Sequence, residues 1–500
     1  MTVDHKKIAK NTLFMYLRLM ITIPLAFYTS RVVLRQLGVD DFGIYQAVGG
    51  IVSLFAILRG AFDSATQRYY NVALAKDNVK LLSQMFTTSL VIHVFIAVLL
   101  VILIEIFGLW FISNKMVYPS GSQNDVFFVF HTMVISVVFM ILNIPFSGMI
   151  IAREHMKFYA YLSVLDVVLK LGLVFLLIFV AADKLRVYAI FQMLVPIALC
   201  LMSVIYVAYN FREIKLVRFS RQICKDMSAF SGWGLLGNIC YSLVHEGVNL
   251  LLNIYGGVVA NAARGIAFQV RGVIGNVLVN TFIPVRPQAT QLFVNKELTE
   301  FWNLMYRYSK ILFVLSSLMV IPICIFASHI LKFWLGIVPE YSCIFLQILM
   351  AYTLIRSFHD PFDAVFMASG RMKVYQLTTV CISSMTFFLG WLFLHLGFPI
   401  YTPFVVFCIV EAVLLLALLL NARKEGVSVA VYITMVILPC AVYSLLAFVA
   451  CKYMSTVIPN WFVAILLSFA MLLVLSFYIV LNDSERKILR AKLFYRSAHK

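Results

Sequence analysis

Long apolar stretches separated by short polar segments make up most of the chain. A helix needs about 20 mostly apolar residues to cross the hydrocarbon core of a bilayer, and about fourteen stretches approach that length. The predicted spans cover residues 12–34, 43–70, 86–112, 124–149, 160–181, 187–209, 226–254, 260–284, 304–327, 341–366, 375–396, 401–420, 428–450 and 460–481. The pattern predicts an all-α polytopic membrane protein.

Composition agrees with this interpretation and excludes several other classes. Of the 500 residues, 63% are hydrophobic and only 12% are charged, which is too little charge to cover a soluble domain of this size. The net charge of +18 is spread over short segments between apolar stretches rather than along one stripe, so we expect no nucleic-acid partner. The nine cysteines form no C-x-x-C pair, and no Walker A sequence occurs. We therefore expect no metal, no cofactor and no ATPase activity.

The distribution of lysine and arginine predicts the orientation. If the N-terminus is cytoplasmic, about 24 basic residues fall in cytoplasmic segments and about 6 on the other side. Such a bias follows the positive-inside rule. We expect both termini in the cytoplasm and no large domain outside the membrane.

Two pairs of short sequence matches indicate an internal repeat. Residues 65–71 and 289–295 both read Ala-Thr-Gln-x-x-x-Asn, and residues 145–159 and 361–375 share Pro-Phe, Ala, Met-Lys and Tyr at the same spacing. Each pair lies six predicted spans apart, so the copies would have the same orientation, as in parallel-repeat transporters. We predict one six-helix bundle over 1–210, a second over 211–425, and two further helices with a basic tail over 426–500.

Charged side chains inside the predicted spans are the candidate functional residues, because an ionisable group in the membrane needs a cavity or a partner. They include Arg18, Arg59, Asp63, Asp166, Lys170, Glu246, Arg264, Arg271, Arg356, Asp360, Asp363 and Glu411. Two pairs, Arg59–Asp63 and Asp166–Lys170, have the spacing of neutralised ion pairs, and Arg264 lies near enough to a span end to snorkel.

The net charge of this set is positive, which favours a phosphate or pyrophosphate ligand. A cavity for organic cations would need carboxylates instead. Arg271 lies mid-span with no acidic residue one turn away, and Glu411 is isolated along its helix. Asparagines of spans seven and eight, such as Asn249, Asn253 and Asn261, are able either to bind sugar hydroxyls or to join helices.

The opening of the chain resembles a known family. Residues 11–45, and especially the element Leu37-Gly38-x-x-x-Phe42-Gly43-x-Tyr45, are similar to the start of bacterial polysaccharide flippases of the O-antigen (Wzx) type. These belong to the multidrug/oligosaccharidyl-lipid/polysaccharide (MOP, MATE-like) exporter superfamily. The fourteen spans and their arrangement as six, six and two extend the resemblance over the whole chain.

The resemblance implies a transporter rather than an enzyme. The expected substrate is an undecaprenyl-pyrophosphate-linked oligosaccharide, moved by alternating access to the periplasmic leaflet of the bacterial inner membrane. The expected pyrophosphate-binding residues are Arg18, Arg59, Arg264 and Arg271, with Lys170 as a further candidate. The expected ion-coupling carboxylates are Glu246, Asp360, Asp363 and Glu411. Membrane lipid and glycan polymerase or assembly proteins are the other expected partners.

Several alternatives stay open at this point. A lipid II flippase has the same chemistry, and a multidrug or cation antiporter has the same fold class with an acidic cavity. A membrane glycan polymerase or ligase is expected to carry a large periplasmic loop, which the sequence does not predict. A non-transporting scaffold would not need the duplicated bundles or the intramembrane charges.

Overall fold

The computed structural model describes the backbone of residues 5–56, 66–67, 69–71, 73–74, 76–153, 155–179, 183–282, 285, 289, 292–293, 295–481 and 486. Side chains are described over the same residues except 5–22, 55–56, 156, 229–241 and 280.

The regular elements of the described residues are all helical. The α-helices are α1 (His5–Ala56), α2 (Val79–Asn114), α3 (Gln123–Leu142), α4 (Ile144–Ala152), α5 (Met156–Leu176), α6 (Lys184–Asn210), α7 (Arg221–Phe282), α8 (Leu298–Ile325), α9 (Ala327–Leu335), α10 (Ser342–Arg356), α11 (Asp360–Ala368), α12 (Met372–His395), α13 (Thr402–Asn421), α14 (Val429–Tyr432), α15 (Leu438–Val457) and α16 (Trp461–Ile479). A 3₁₀ turn at Ala422–Glu425 follows α13, and a π-helical turn at Ile433–Ile437 joins α14 to α15. The all-α prediction is confirmed.

Eleven helical segments of the described residues are long and apolar enough to cross a membrane. Ten of them coincide with predicted spans three to six and nine to fourteen, and one, Ser242–Val279, overlaps spans seven and eight. Predicted spans one and two fall on α1 and on residues outside the described part of the chain. The polytopic architecture is therefore confirmed, and the count of fourteen stays a prediction.

Two glycines bend the longest helices. Gly38 (φ 81°, ψ 179°) divides α1 and Gly257 (φ 65°, ψ −168°) divides α7. A positive φ is accessible to glycine and costly for residues with a side chain. The separation of these two glycines along the chain equals that of Val79 and Leu298, where α2 and α8 begin. In both parts of the chain, the next helix therefore begins the same number of residues after the glycine at the bend.

A second element also occurs twice. Helix α3 ends at Asn143 and the nine-residue α4 begins with Ile144-Pro145, while α10 is followed after a short turn by the nine-residue α11, which begins with Asp360-Pro361. Proline fits the first turn of a helix, where no N–H donor is needed, and interrupts a helix that would continue through it. The match between residues 145–159 and 361–375 coincides with this element. The other match, at 65–71 and 289–295, is described only in part, because residues 65, 68, 290, 291 and 294 lie outside the described residues.

The chain divides into two compact units. Unit 1 comprises Met1–Ala262 and Trp334–Pro339, and unit 2 comprises Ala263–Phe333 and Glu340–Lys500. The predicted bundle boundary after residue 210 stays a prediction. The core of unit 1 includes fully buried Ile44, Val48 and Ile51 of α1 packed with α2 and α3. In unit 2, ring contacts between Phe313 and Phe358 and between Phe345 and Phe404 join α8, α10 and α13.

Close backbone contact fixes the second segment of α1 against α7 within unit 1. A Cβ atom at Gly43 would lie 2.1 Å from the carbonyl oxygen of Val258, and one at Gly50 would lie 1.9 Å from Nδ2 of Asn249. Small residues permit such approach between helices whose packing in lipid depends on van der Waals contact. Gly43 belongs to the sequence element that carries the family resemblance, and this contact gives its physical reason.

Candidate functional site

A buried charged network lies at the break between α10 and α11 in unit 2. Oε1 of Glu411, on α13, lies 3.1 Å from both Nη1 of Arg356 and Nδ1 of His359. Nε2 of His359 lies 2.8 Å from the hydroxyl of Tyr375, on α12. The side chains of His359 and Glu411 are 1% and 6% exposed. Arg356 at the end of α10 and His359 in the turn before α11 therefore contact one carboxylate that would be costly to bury without these partners.

The break in the backbone brings these residues together. Arg356 is the last residue of α10, and the N–H of His359 donates to the carbonyl of Arg356 in the turn that follows. Pro361 then starts α11, and the N–H of Phe362 donates to the carbonyl of His359. Because the turn replaces a regular helical step, Arg356 and His359 both reach Glu411.

His359 connects the carboxylate to the tyrosine. Arg356, His359 and Glu411 form a triangle with three sides of 3.1 Å. If Nδ1 of His359 carries the ring proton, it donates to Glu411, and Nε2 accepts from the Tyr375 hydroxyl. A histidine cation would donate from both nitrogens, and Tyr375 would then act as the acceptor.

A second basic group of unit 2 lies on α7 and α10. The guanidinium carbons of Arg264 and Arg271 lie 4.2 Å and 5.5 Å from the ring centre of Phe268, between them in sequence. Arg271 also lies 4.8 Å from the ring of Tyr352 on α10, with Nη2 3.4 Å from its hydroxyl. Cation–π contact of this kind is strongest for desolvated groups, and Arg264 is buried. Two positive charges are thus placed around a single aromatic ring.

The two groups are linked through neighbouring turns of the same helices. Tyr352 and Arg356 are four residues apart on α10, and Phe407, whose ring centre lies 5.4 Å from that of Tyr352, is four residues from Glu411 on α13. Residues four apart share a helix face. The arginine pair and the charged network are therefore adjacent parts of one polar region in unit 2.

Asp360 and Asp363 lie in the first turn of α11, next to this region. Both are half-buried. A negative charge at a helix N-terminus is stabilised by the helix dipole, so their position has a structural explanation as well as the predicted coupling role.

In unit 1 the predicted charges have local partners. Lys170 forms an ion pair of 2.9 Å with Asp166, one turn earlier on α5, which is the neutralised pair that its spacing allowed. Oε2 of Glu246 accepts from Nδ2 of Asn249 at 3.4 Å.

Asparagines of α7 join helices. The amide of Asn253 accepts from the N–H of Val117 at 2.8 Å and donates to its carbonyl at 3.1 Å. Nδ2 of Asn253 also donates to Oδ1 of Asn261, and Asn261 donates to the carbonyl and side-chain oxygens of Asn249. Asn249 donates to the carbonyl of Gln46 on α1. Asn249 thus connects α7 to α1, and Asn253 connects α7 to the segment between α2 and α3.

Solved structures similar to this one are membrane transporters. An "inward-facing conformation of a multidrug resistance MATE family transporter of the MOP superfamily" matches with a TM-score of 0.71 at 13% identity, over 83% of this chain and 98% of that chain. A "lipid II flippase MurJ, inward closed conformation" matches with a TM-score of 0.69 at 12% identity, over 98% of this chain and 100% of that chain. A "MOP superfamily transporter from Pyrococcus furiosus", whose structure is described by a "reverse polarity of binding pocket", matches with a TM-score of 0.60 at 14% identity, over 85% and 96%.

The fold is that of MOP-superfamily transporters. No protein-family model and no curated protein sequence matches the chain. The similarity therefore supports the MATE-like fold predicted from the sequence, together with a multi-pass membrane location, and it comes from structure at low sequence identity. The similar proteins are transporters and flippases rather than enzymes.

Within this MOP fold, the predicted site residues fall into three groups. Arg264, Arg271, Asp360, Asp363 and Glu411 come together in unit 2. Lys170 and Glu246 lie elsewhere, in unit 1. The side chain of Arg18 and all of Arg59 lie outside the described residues.

Sequence reasoning was wrong to treat Glu411 as isolated and missed its partners. Arg356 and His359 contact Glu411 from the end of α10 and the turn after it, 55 and 52 residues away along the chain. No pattern along α13 alone reveals these partners. Tyr375 was noted only as a repeat position. The signal available in the sequence was His359 next to Asp360-Pro361, with Arg356 one turn earlier, since proline interrupts a helix that would continue through it.

Proposed function

We propose that this chain is a flippase for a lipid-linked oligosaccharide, with the undecaprenyl-pyrophosphate-linked repeat units of O-antigen, capsule or exopolysaccharide as its substrate class. The observation that carries the proposal is the placement of Arg264 and Arg271 around the ring of Phe268. Two guanidinium groups around one ring favour an anionic ligand, and the diphosphate of such a substrate is the group we propose to bind there.

The geometry of the two side chains suits a diphosphate. A guanidinium stacked on a ring by its face can still donate from its edge, and its planar donors match phosphate oxygens. Arg264 and Arg271 lie two turns apart on α7, a rise of about 10 Å, and both bend toward the ring between them. The polyprenyl tail would stay in lipid, because exposing it to water is unfavourable.

A proton taken up by the Arg356–His359–Glu411–Tyr375 network would couple the reaction to an ion gradient. Protonation would change the charge and hydrogen bonding at the break between α10 and α11. Glu411 is the coupling carboxylate we favour among the four candidates, since its Oε1 lies 3.1 Å from both an arginine and a histidine. Asp360 and Asp363, in the first turn of α11, lie close enough to the network to influence its electrostatics.

The substrate is tested by deleting the gene in its host and measuring surface polysaccharide and lipid-linked intermediates. We expect surface glycan to disappear and lipid-linked repeat units to accumulate, with wild type restoring export. Arg264→Ala and Arg271→Ala should each reduce export about tenfold or more, because a charge-assisted hydrogen bond contributes about 1.5–3 kcal/mol.

Lys157→Ala is the matched control. The Lys157 Nζ lies 5.7 Å from the ring centre of Tyr161, in unit 1, so this variant also removes a cation from an aromatic ring, at an exposed position. Full export by both site variants would contradict the assignment of the site. Unchanged surface glycan with no accumulated intermediate in the deletion strain would contradict the substrate.

Coupling is tested with wild type and Glu411→Gln in vesicles. Substrate movement by wild type should accelerate under an imposed pH gradient, and Glu411→Gln should move substrate at one rate with or without the gradient. If a sodium gradient, rather than the pH gradient, accelerates transport by wild type, the coupling ion is sodium.

Translocation of lipid II is the second candidate. The specific observation in its favour is the match to the lipid II flippase structure over 98% of this chain and the whole of that one. The two candidates differ in the intermediate that accumulates on deletion: lipid-linked repeat units for the first, lipid II with arrest of wall synthesis for the second.

A further inference from the structure

The segment between α6 and α7 lies along the surface of unit 1 without forming a helix. We call residues 211–220 the linker strap. Three of its backbone N–H groups donate to hydroxyls of α2, namely Lys215 to Ser83 at 3.3 Å, Val217 to Thr87 at 3.0 Å and Ser220 to Thr88 at 3.3 Å. Serine and threonine thus provide acceptors for a segment that has no strand partner, and the strap is held at the beginning of α2.

The outer side of the strap is basic. Arg212, Lys215, Arg218 and the following Arg221 are exposed. The nearby acidic residue Glu213 forms an ion pair of 2.8 Å with Arg153, so its charge does not offset theirs. These cations lie together on the side of the membrane that the sequence predicts to be cytoplasmic.

Apolar side chains are exposed between these charges. Leu216 is 72% exposed and Phe219 is 38% exposed, and Tyr209, in the last turn of α6, is 69% exposed. Alternating basic and apolar residues at the end of a membrane-spanning helix are typical of segments that lie in the headgroup region. A soluble acidic partner would account for the charges but would not require the adjacent apolar side chains.

We propose that the linker strap is a binding surface for anionic phospholipid headgroups of the leaflet it faces. Each cation near an anionic surface strengthens binding, and the hydrogen bonds to α2 hold the strap in place so that little ordering is needed on binding. Leu216 and Phe219 would enter the adjacent acyl region. This lipid site does not depend on the identity of the transported substrate.

The test uses the full-length protein in mixed vesicles and measures bound lipid by native mass spectrometry. Wild type should retain phosphatidylglycerol in preference to phosphatidylcholine. The triple variant Arg212→Gln, Lys215→Gln, Arg218→Gln should lose most of that preference, at about fivefold for each charge removed. The variant Leu216→Gln, Phe219→Gln keeps the charges and should weaken retention of both lipids.

The matched control removes three exposed cations from unit 2, by Lys373→Gln, Arg423→Gln and Lys424→Gln. It changes the net charge equally and should keep the preference for phosphatidylglycerol. Equal loss in both triple variants, or a retained preference in the strap variant, would overturn the proposal. If undecaprenyl pyrophosphate rather than phosphatidylglycerol distinguishes wild type from the strap variant, the strap contacts the transported lipid and the phospholipid site is wrong.

Discussion

The break between α3 and α4 and the break between α10 and α11 have the same form and different chemistry. Each is followed by a nine-residue helix with proline in its first turn. By the spacing that relates Pro145 to Pro361, the positions of Arg356, His359 and Tyr375 correspond to Met140, Asn143 and Tyr159. One copy of the element is uncharged, and the other holds an arginine and a histidine against a buried glutamate. A duplicated backbone can therefore keep its shape while only one copy acquires titratable groups.

The same contrast extends to the interior of the two units. Unit 1 satisfies buried polar groups of α7 with the neutral amides of Asn249, Asn253 and Asn261, whereas unit 2 buries Glu411 with an arginine and a histidine. Neutral amides give the same bonds at every pH. A carboxylate–histidine pair gives bonds that depend on protonation.

The largest expected effect comes from Glu411→Ala, which leaves Arg356 and His359 without their buried countercharge. We expect a loss of about 3–5 kcal/mol in the free energy of unfolding, measured by thermal unfolding of the purified protein in detergent. Glu105→Ala is the control, because Glu105 also lies 3.1 Å from a histidine, His131, but at the surface. Its effect should stay below about 1 kcal/mol, and equal losses would contradict the role of burial.

Asn253→Ala tests the neutral network in the same way. The N–H and carbonyl of Val117 would both lose the partner that they have in Asn253, at a cost of about 1–3 kcal/mol for buried groups left unsatisfied. The loss in unfolding free energy should be the same at pH 5 and pH 8. A loss that changes between these pH values would show that the carboxylate of Glu246, which accepts from Asn249, influences the bonds that Asn253 makes.

His359→Asn makes the charged break resemble the uncharged one. Asparagine can still donate to Glu411 but cannot take up a proton, so we expect a loss of about 1 kcal/mol in the free energy of unfolding. The pH dependence of transport between pH 5 and 8 should be removed. The reciprocal variant Asn143→His adds a titratable group without a neighbouring glutamate. We expect its transport to depend on pH in the same way as that of wild type. A profile unchanged in His359→Asn would exclude His359 as the titrating group.

The smallest effects are expected from Pro145→Ala and Pro361→Ala. Alanine is tolerated in the first turn of a helix, so each variant should change the unfolding free energy by less than about 1 kcal/mol. Transport should respond more to Pro361→Ala, because that break positions Arg356 and His359. Equal transport by both variants would mean that the geometry of the second break has no special role.

Much of the fold could be predicted from the sequence because most residues of each membrane span are apolar. Ten of the observed spans coincide with predicted ones, and the spacing of Pro145 and Pro361 pointed to an element that the structure contains twice. The Ala-Thr-Gln matches were less informative, since Ala65 and Ala289 are farther apart along the chain than the helix starts at Val79 and Leu298 that follow them.

The site was harder to predict because its contacts join distant helices. Lys170 was correctly matched to Asp166 as one possibility, since i, i+4 pairing is visible along one helix. The pairing of Glu411 with Arg356 and His359, and the stacking of Arg271 on Tyr352, depend on how helices pack, which no single-helix pattern contains. Asn253 bonds to Val117, 136 residues away, and its role as a helix connector was one of two that the sequence allowed.

Gly43 and Gly50 have a consequence for motion within unit 1. Gly43 touches Val258 just after the bend at Gly257, and Gly50 touches Asn249 before it, so one straight helical segment is fastened on both sides of the bend. A glycine with positive φ is often regarded as a hinge, yet here the angle at Gly257 could open only by separating Gly43 from the backbone of Val258 or Gly50 from the side chain of Asn249. The bend is therefore held by packing against a neighbouring helix as well as by its own backbone angles.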